Sequence, residues 1–207
     1  MDVPLPIPDK NQIDELSNEF LNADRLLPTD IEDILSQYPE LEETLECIGS
    51  ESTRTVFRYE HEGEGLVIKF AHDFGLTDGR DVNKAEVYIW DHLTETYDQP
   101  SNYGDLSTNI RGRFNPTLYG HDDGHWLIQP LLTKTGNDDD PDSKQAAIKG
   151  TLPYLEYGSE YTLPDNIGYN VEDDWYRIFD YGGYIPHTFI EQELPDEAHQ
   201  ILSSVKA

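Results

Sequence analysis

The run from Asn166 to Gly182 carries two oxygen-bearing side chains at the ends of one short segment. Asn166 opens the run and Asp180 stands near its close, with apolar and aromatic residues on either side of the acidic stretch 171–174. That pattern predicts a β-hairpin whose turn is the acidic stretch. Amide and carboxylate oxygens at the two ends of one hairpin can hold the same hard cation, Mg²⁺ or Mn²⁺, against a phosphate.

A lysine within an apolar strand is the second feature that could take part in binding or catalysis. Lys69 lies in the run 66–71, in which the five remaining residues are all apolar. A lysine in such a strand must either extend its ammonium group to water or meet a carboxylate. Glu86 lies inside the helix predicted to follow, for which Asp81 is a candidate N-cap.

A glycine turn precedes that strand. Residues 45–59 have the pattern of strand, turn and strand, with Gly49 at the turn. Further along, residues 114–120 and 126–132 are predicted to form another hairpin around the turn 121–125. The two histidines of that turn, His121 and His125, are four residues apart but do not share a helix face, which disfavours a zinc site.

Residues 1–44 are predicted to form an N-terminal helical extension. Apolar residues recur with helical spacing from Ile13 to Phe20, and Thr29 and Glu32 have the spacing of a capping box at the start of a second helix. These helices can pack on the main domain or dock a partner, and packing is the simpler expectation. Of the other segments, 94–113 has the composition of a loop, and 143–155 and 196–205 that of short helices.

The composition indicates a folded domain with a very acidic surface. The 207 residues include 42 Asp and Glu against 14 Lys and Arg, a formal net charge of -28, spread along the whole chain. A disordered acidic chain is poor in aromatics, whereas this one has 13 Tyr, 7 Phe and 3 Trp. Adaptation to a salty cytosol, where screening acts within about 3 Å, explains such charge most simply. An acidic nucleic-acid mimic is the alternative, which the even spread of charge does not favour.

Several classes of partner and location are disfavoured. No basic patch is present to neutralise phosphates, so direct binding to nucleic acid is not expected. The single Cys47 excludes an internal disulfide. The N-terminus lacks the features of a signal peptide, and no run of 18 apolar residues predicts a membrane span. The expected location is the cytoplasm, or the host cytoplasm for a viral protein.

In order and in detail, residues 45–183 resemble the protein-kinase-like fold, and above all the small kinase-like proteins of phages, prophages and plasmids. The Gly-x-Gly-Ser-x-Arg-x-Val-Phe loop of those proteins resembles Gly-Ser-Glu-Ser-Thr-Arg-Thr-Val-Phe at 49–57. Their Asn-x-x-Glu-x-x-x-Trp helix is matched at 83–90, and their Trp-Leu-Ile strand at 126–128. Their Asn-Ile-Gly-Tyr…Asp-Tyr-Gly hairpin is matched at 166–182.

The resemblance implies an α+β protein with a protein-kinase-like fold. Residues 45–132 would form an N-lobe of one β-sheet and one helix, and residues 133–207 a reduced C-lobe that contains the metal-site hairpin 166–182. The cofactors it implies are ATP and Mg²⁺. Lys69 would contact the α- and β-phosphates, and Glu86 would hold Lys69 by an ion pair.

The resemblance also assigns the remaining ligands. Asn166 and Asp180 would bind the metal ions, and the turn that contains Gly49 and Ser52 would cover the phosphates. An alternative register, with Asp165 as base and Asn170 as metal ligand, stays open. It leaves only nine residues before Asp180 and loses the Asn-Ile-Gly match.

Two departures bear on activity. The base Asp of an active kinase stands five residues before the metal Asn, and here that position is Tyr161. A phenol with a pKa near about 10 does not readily accept a hydroxyl proton at neutral pH; Asp165 is a candidate substitute. Glu51 replaces the middle glycine of the loop, which puts a carboxylate beside the phosphates and removes a close backbone approach.

The chain is also short for a kinase, since 27 residues follow Asp180 and cannot build the usual groove for a protein substrate. The sequence therefore predicts a pseudokinase that binds a nucleotide, an unidentified partner protein, or both. Two alternatives stay open: a minimal phospho- or nucleotidyl-transferase acting on a small molecule or on itself, and a non-catalytic scaffold.

Overall fold

A computed structural model describes the chain in eight stretches, which fall into two compact units. Met1–Asn83 and Leu118–Leu131 belong to the first unit, and Lys84–Thr117 and Leu132–Lys206 to the second. The described stretches are residues 7–23, 26–50, 53–61, 64–73, 78–97, 114–133, 167–170 and 175–181. The expected short helices at 143–155 and 196–205, and residues 98–113 of the expected loop, lie outside these stretches.

The first unit is built on a five-stranded antiparallel sheet with strand order β1-β2-β3-β5-β4. The chain is therefore α+β, as predicted. The strands are β1 (Leu45–Ser50), β2 (Arg54–His61), β3 (Glu64–Ala71), β4 (Tyr119–Gly120) and β5 (Trp126–Pro130). The helices before the sheet are α1 (Lys10–Asn22), α2 (Pro28–Leu35) and α3 (Pro39–Glu42). The helix α4 (Gly79–Tyr97) lies between β3 and β4 in sequence.

One face of this sheet is mainly apolar and is covered by the N-terminal helices. Directly paired residues of neighbouring strands share a face, and Phe57, Ile68 and Ile128 form one such row across three strands. Phe20 of α1 lies 5.7 Å from Phe57 and 5.2 Å from Phe70, measured between ring centroids. The N-terminal helices thus pack on the sheet, as the simpler expectation had it.

The helix starts follow the capping rules, with two shifts from the predicted residues. Asp9 caps α1 by accepting from the N–H groups of Asn11 and Gln12 at 2.8 and 3.3 Å. The capping box predicted from Thr29 and Glu32 is wrong: α2 begins at Pro28, and the Asp30 carboxylate accepts from the Leu27 N–H at 2.8 Å. Pro28 fits the first helical position because it has no N–H to leave unpaired.

The start of α4 also differs from the prediction. Asp78, rather than Asp81, accepts from a first-turn N–H, that of Arg80, at 2.9 Å. Asp81 lies within the first turn, where its negative charge still favours the helix dipole. The helix runs to Tyr97, three residues past the point at which the polar loop was expected to begin.

The strand β1 forms an edge of the sheet and contains an irregularity. Its pairing with β2 shifts register between Cys47 and Gly49, which leaves Ile48 unpaired. Ile48 is 48% exposed, so an apolar side chain stands in solvent at the point where the strand bulges.

The second unit contains the predicted hairpin. The strands β6 (Ile167–Asn170) and β7 (Trp175–Ile178) pair antiparallel, with Ile167 opposite Ile178. A segment expected to belong to another hairpin joins them: Phe114 forms a parallel bridge with Ile178, and the Asn115 N–H donates to the Ile178 carbonyl at 2.8 Å. Only Tyr119 and Gly120 pair with β5 as predicted.

Within the described residues, no helix is long and apolar enough to cross a membrane. The helices that are described are amphipathic or short, in keeping with the absence of a predicted span.

Truncating Phe20 should test whether α1 is part of the core. Phe20 is fully buried between Phe57 and Phe70, so Phe20→Ala is expected to lower the free energy of unfolding by about 3–5 kcal/mol. Denaturant unfolding in molar KCl measures the change. Asn18→Ala, at an exposed position of the same helix, is the control and should change stability by less than about 0.5 kcal/mol. Equal stability of the two variants would contradict this account of the core.

Candidate functional site

The second face of the sheet carries buried charge, whereas the first is mainly apolar. Lys69 lies at the middle of β3, directly opposite Val56 of β2 and Leu127 of β5, and only 3% of it is exposed. The face also includes Arg54 and Gln129, exposed by 3% and 1%. Removing an ammonium group from water is costly unless charge or hydrogen bonds compensate it. Strand β3 is thus buried on both faces, and the lysine is its one ionisable side chain in the stretch 65–71.

Asn83 fixes the backbone around Lys69. Its side-chain nitrogen donates to the carbonyl of Gly124 at 2.8 Å and to that of Lys69 at 3.4 Å. Its oxygen accepts from the Arg54 guanidinium at 3.3 Å. This fully buried amide therefore ties the first turn of α4 to β2, to β3 and to the β4–β5 turn. The sequence pattern had singled out Asn83 only as part of a motif, without a role.

Glu86 is fully buried in α4. A buried carboxylate requires a cation or several hydrogen-bond donors to offset its lost hydration. Lys69 belongs to the first unit and Glu86 to the second. Both predicted residues are thus buried charges on the predicted strand and helix.

The predicted phosphate turn is described only at its flanks. Gly49 is the first residue of β1 to pair with β2 after the register shift, and a Cβ atom placed there would meet nothing within 4 Å. Close packing therefore does not require glycine at this position. Glu51 and Ser52 lie outside the described residues.

A chain of hydrogen bonds anchors the end of that turn. The Ser50 and Thr55 hydroxyls lie 3.2 Å apart, and the Thr55 hydroxyl lies 2.7 Å from Nε2 of His72. Thr55 and His72 are fully buried. The turn between β1 and β2 is thereby held against the residue that follows β3, a link that local sequence patterns do not reveal.

Asp180 stands in an unusual backbone conformation. Its φ of 61° makes it the one non-glycine residue with positive φ among the residues described, and it is only 8% exposed. Left-handed backbone is uncommon outside glycine, although Asp and Asn adopt it more readily than other residues. Such conformations persist where the surrounding structure imposes them, and they concentrate at functional sites.

Tyr181 supplies that surrounding structure. Its hydroxyl donates to the Asn115 carbonyl at 2.9 Å and lies 3.2 Å from the Thr117 hydroxyl. Its ring meets Phe114 edge to face, with centroids 5.2 Å apart, and is only 1% exposed. The tyrosine next to Asp180 is therefore a buried anchor that binds the end of the hairpin to residues 114–117.

The remaining predicted site residues fall beyond the described part of the chain. Asn166 directly precedes β6 in sequence but is not itself described, and neither are Tyr161 and Asp165. Asn170, the ligand of the alternative register, lies at the end of β6 opposite Trp175.

The turn between β4 and β5 brings together a group that the sequence had disfavoured. His121, Asp123 and His125 each offer a potential ligand atom, and these atoms lie within 4.8 Å of one another. Burial lowers the pKa of His125, and the neighbouring His121 lowers that pKa further. A lowered pKa favours the neutral imidazole, which is the form that binds metal ions.

A scan of protein-family models and a search of curated proteins both find no match to this chain.

The backbone at Asp180 gives a test that does not depend on activity. Alanine is disfavoured in the left-handed region, so Asp180→Ala is expected to be less stable than Asp180→Asn by about 1 kcal/mol. Denaturant unfolding in molar KCl measures the difference. The matched pair Asp33→Ala and Asp33→Asn, at an exposed site in α2, should show no penalty for alanine. The same ranking at both sites would rule out a constrained backbone at Asp180.

Proposed function

We propose that this chain is a kinase-like pseudoenzyme that binds a nucleotide with Mg²⁺, a partner protein, or both, and does not phosphorylate peptide substrates. The observation that carries the proposal is Lys69, a buried lysine at the centre of an antiparallel sheet whose other face is an ordinary apolar core. In this proposal the ammonium group of Lys69 contacts the phosphates of ATP.

Packing alone gives no reason for a lysine at this position. Replacing a whole buried ion pair with apolar residues of similar volume is often neutral or stabilising. Ile68 and Phe70, on either side of Lys69 in the strand, are fully buried and apolar, so the lysine is an exception within β3. A charge kept at such a site favours a role in binding an anion, and nucleotide phosphates are anions of the appropriate kind.

The hairpin supports a metal role for Asp180. The residue directly follows the paired strands in a conformation that its neighbours impose, and its carboxylate is of the type that Mg²⁺ prefers. Asn166, next to β6 in sequence, remains the proposed second ligand. The order of elements, with a glycine turn, a lysine strand, a long helix, a hairpin and then the Asp180 hairpin, agrees with the same proposal.

The absence of orthodox kinase activity is inferred from the sequence. Tyr161 stands where the base Asp is expected, and a phenol is a poor proton acceptor at neutral pH. Phosphoryl transfer still depends mainly on positioning and charge neutralisation. A slow transferase that uses Asp165 is therefore the second candidate.

Calorimetric titration of ATP·Mg²⁺ in molar KCl tests the binding proposal. High salt is needed because a net charge of -28 repels the nucleotide at low ionic strength. Lys69→Met is expected to weaken binding by about 10- to 100-fold, the range for losing a charge-assisted hydrogen bond. Lys10→Met, an exposed lysine with the same change of charge, should leave the affinity unchanged. Asp180→Asn should weaken binding only when Mg²⁺ is present.

The outcomes separate the three functions. Binding that requires Lys69, with no transfer of phosphate or AMP, supports the pseudoenzyme. Transfer that disappears in Asp180→Asn but persists in Asp33→Asn would establish the transferase instead. If circular dichroism shows that the wild-type chain is folded and the chain has no affinity for ATP, the non-catalytic scaffold is the function that remains.

A further inference from the structure

We propose that the β4–β5 turn binds one Zn²⁺ ion through His121, Asp123 and His125. The ligand atoms of these three side chains lie within 4.8 Å of one another on a five-residue turn. Two imidazoles and one carboxylate are a donor set that suits Zn²⁺, with a fourth position left for water. Mg²⁺ and Ca²⁺ prefer all-oxygen sites and are disfavoured here.

The turn is fixed at several points before any ion arrives. The His121 N–H donates to the Trp126 carbonyl at 3.0 Å, and the Gly124 N–H donates to the His121 carbonyl at 2.8 Å. Gly124 has a φ of 77°, a conformation that glycine adopts without strain. The carbonyl of His125 accepts from the Ala71 N–H at 2.9 Å, and that of Gly124 accepts from the buried amide of Asn83. A backbone held in this way fixes the positions from which the three side chains extend, which lowers the cost of assembling a metal site.

Asp14 of α1 provides an outer carboxylate for His121. Its Oδ1 accepts from the indole N–H of Trp126 at 2.7 Å and lies 3.9 Å from Nε2 of His121. The Nδ1 of His121 accepts the N–H of Asp123 at 3.0 Å, so this nitrogen carries a lone pair and Nε2 carries the proton. Because Nδ1 has a single lone pair, a metal ion bound there replaces the hydrogen bond from the Asp123 N–H. A carboxylate that accepts a hydrogen bond from a metal-binding imidazole orients it and raises its basicity; at 3.9 Å, Nε2 of His121 comes within hydrogen-bond distance of Asp14 only after the ring turns.

Coordination requires a limited rearrangement of the rings. The imidazoles of His121 and His125 are stacked, with centroids 4.4 Å apart and planes inclined by 6°. A bound metal lies in the plane of each ring at about 2.0–2.1 Å from nitrogen, so at least one ring turns out of the stack. The side chain of His121 is 21% exposed, and both histidines lie on the partly exposed turn. His121 also meets the buried ring of Trp126 edge to face, with centroids 6.0 Å apart, so the partly exposed His125 is the ring with more freedom to turn.

Calorimetric titration of the full chain with Zn²⁺ tests the site and does not depend on nucleotide binding. Potassium sulfate supplies the salt, because chloride competes for zinc and sulfate stabilises folded proteins. The wild-type chain should bind one Zn²⁺ per chain. His121→Ala, His125→Ala and Asp123→Asn should each weaken that binding by more than about tenfold. Asp14→Asn should weaken it by about 10-fold or more, the usual effect of losing an outer carboxylate.

Two matched controls accompany these variants. Asp122→Asn removes the same charge from the adjacent, exposed residue of the turn, and His61→Ala removes a histidine at the end of β2. Neither should change the affinity by more than about twofold, and circular dichroism should show all variants folded. Substitution of Co²⁺ should produce the strong visible absorption of a tetrahedral ion.

Two results would overturn the proposal. The first is a wild-type chain that binds no stoichiometric Zn²⁺. The second is an affinity that falls equally in Asp122→Asn and Asp123→Asn, since diffuse attraction of cations to the acidic surface would then account for the binding.

Discussion

Burial of β3 on both faces is the constraint on which the rest of the first unit depends. A strand with only one buried face can direct a charged side chain to water, but at Lys69 both faces are closed. The apolar face is closed by helices that the chain places before the sheet, through the cluster of Phe20, Phe57 and Phe70. On the charged face, the Asn83 amide hydrogen-bonds to the Arg54 guanidinium and to the carbonyls of Lys69 and Gly124. Both the N-terminal helices on one face and the groups around Lys69 on the other therefore contribute to burying β3.

In the second unit, two attachments constrain the end of the β6–β7 hairpin. Backbone pairing of Ile178 with Phe114 and Asn115 fixes where β7 ends. Tyr181 then closes the segment through its hydroxyl and its ring. Between these two attachments the chain has little freedom, and Asp180 takes a left-handed conformation that an unconstrained loop would avoid.

Sequence patterns predicted most of the elements because their signals are local. The apolar run at β3, the polar stretch between β1 and β2 and the acidic stretch between β6 and β7 each identify a strand pair within a few residues, although Gly49 lies in β1 and not in the turn where it was predicted. The patterns failed where a distant partner decides the structure. Phe114 pairs with a strand more than sixty residues away, and nothing in its neighbourhood indicates this. The histidines of the β4–β5 turn were set aside for lack of helical spacing, whereas a turn can bring ligand atoms together equally well.

The bulge at Ile48 has a consequence for how the molecule behaves at high concentration. In molar salt the charges that keep acidic proteins apart are screened within a few ångströms, so an exposed edge strand loses its electrostatic protection against pairing with another chain. The register shift between Cys47 and Gly49 interrupts the regular row of donors and acceptors that such pairing needs. This irregularity of the backbone conformation acts at any ionic strength, and it disfavours pairing at the β1 edge under the conditions in which repulsion no longer does.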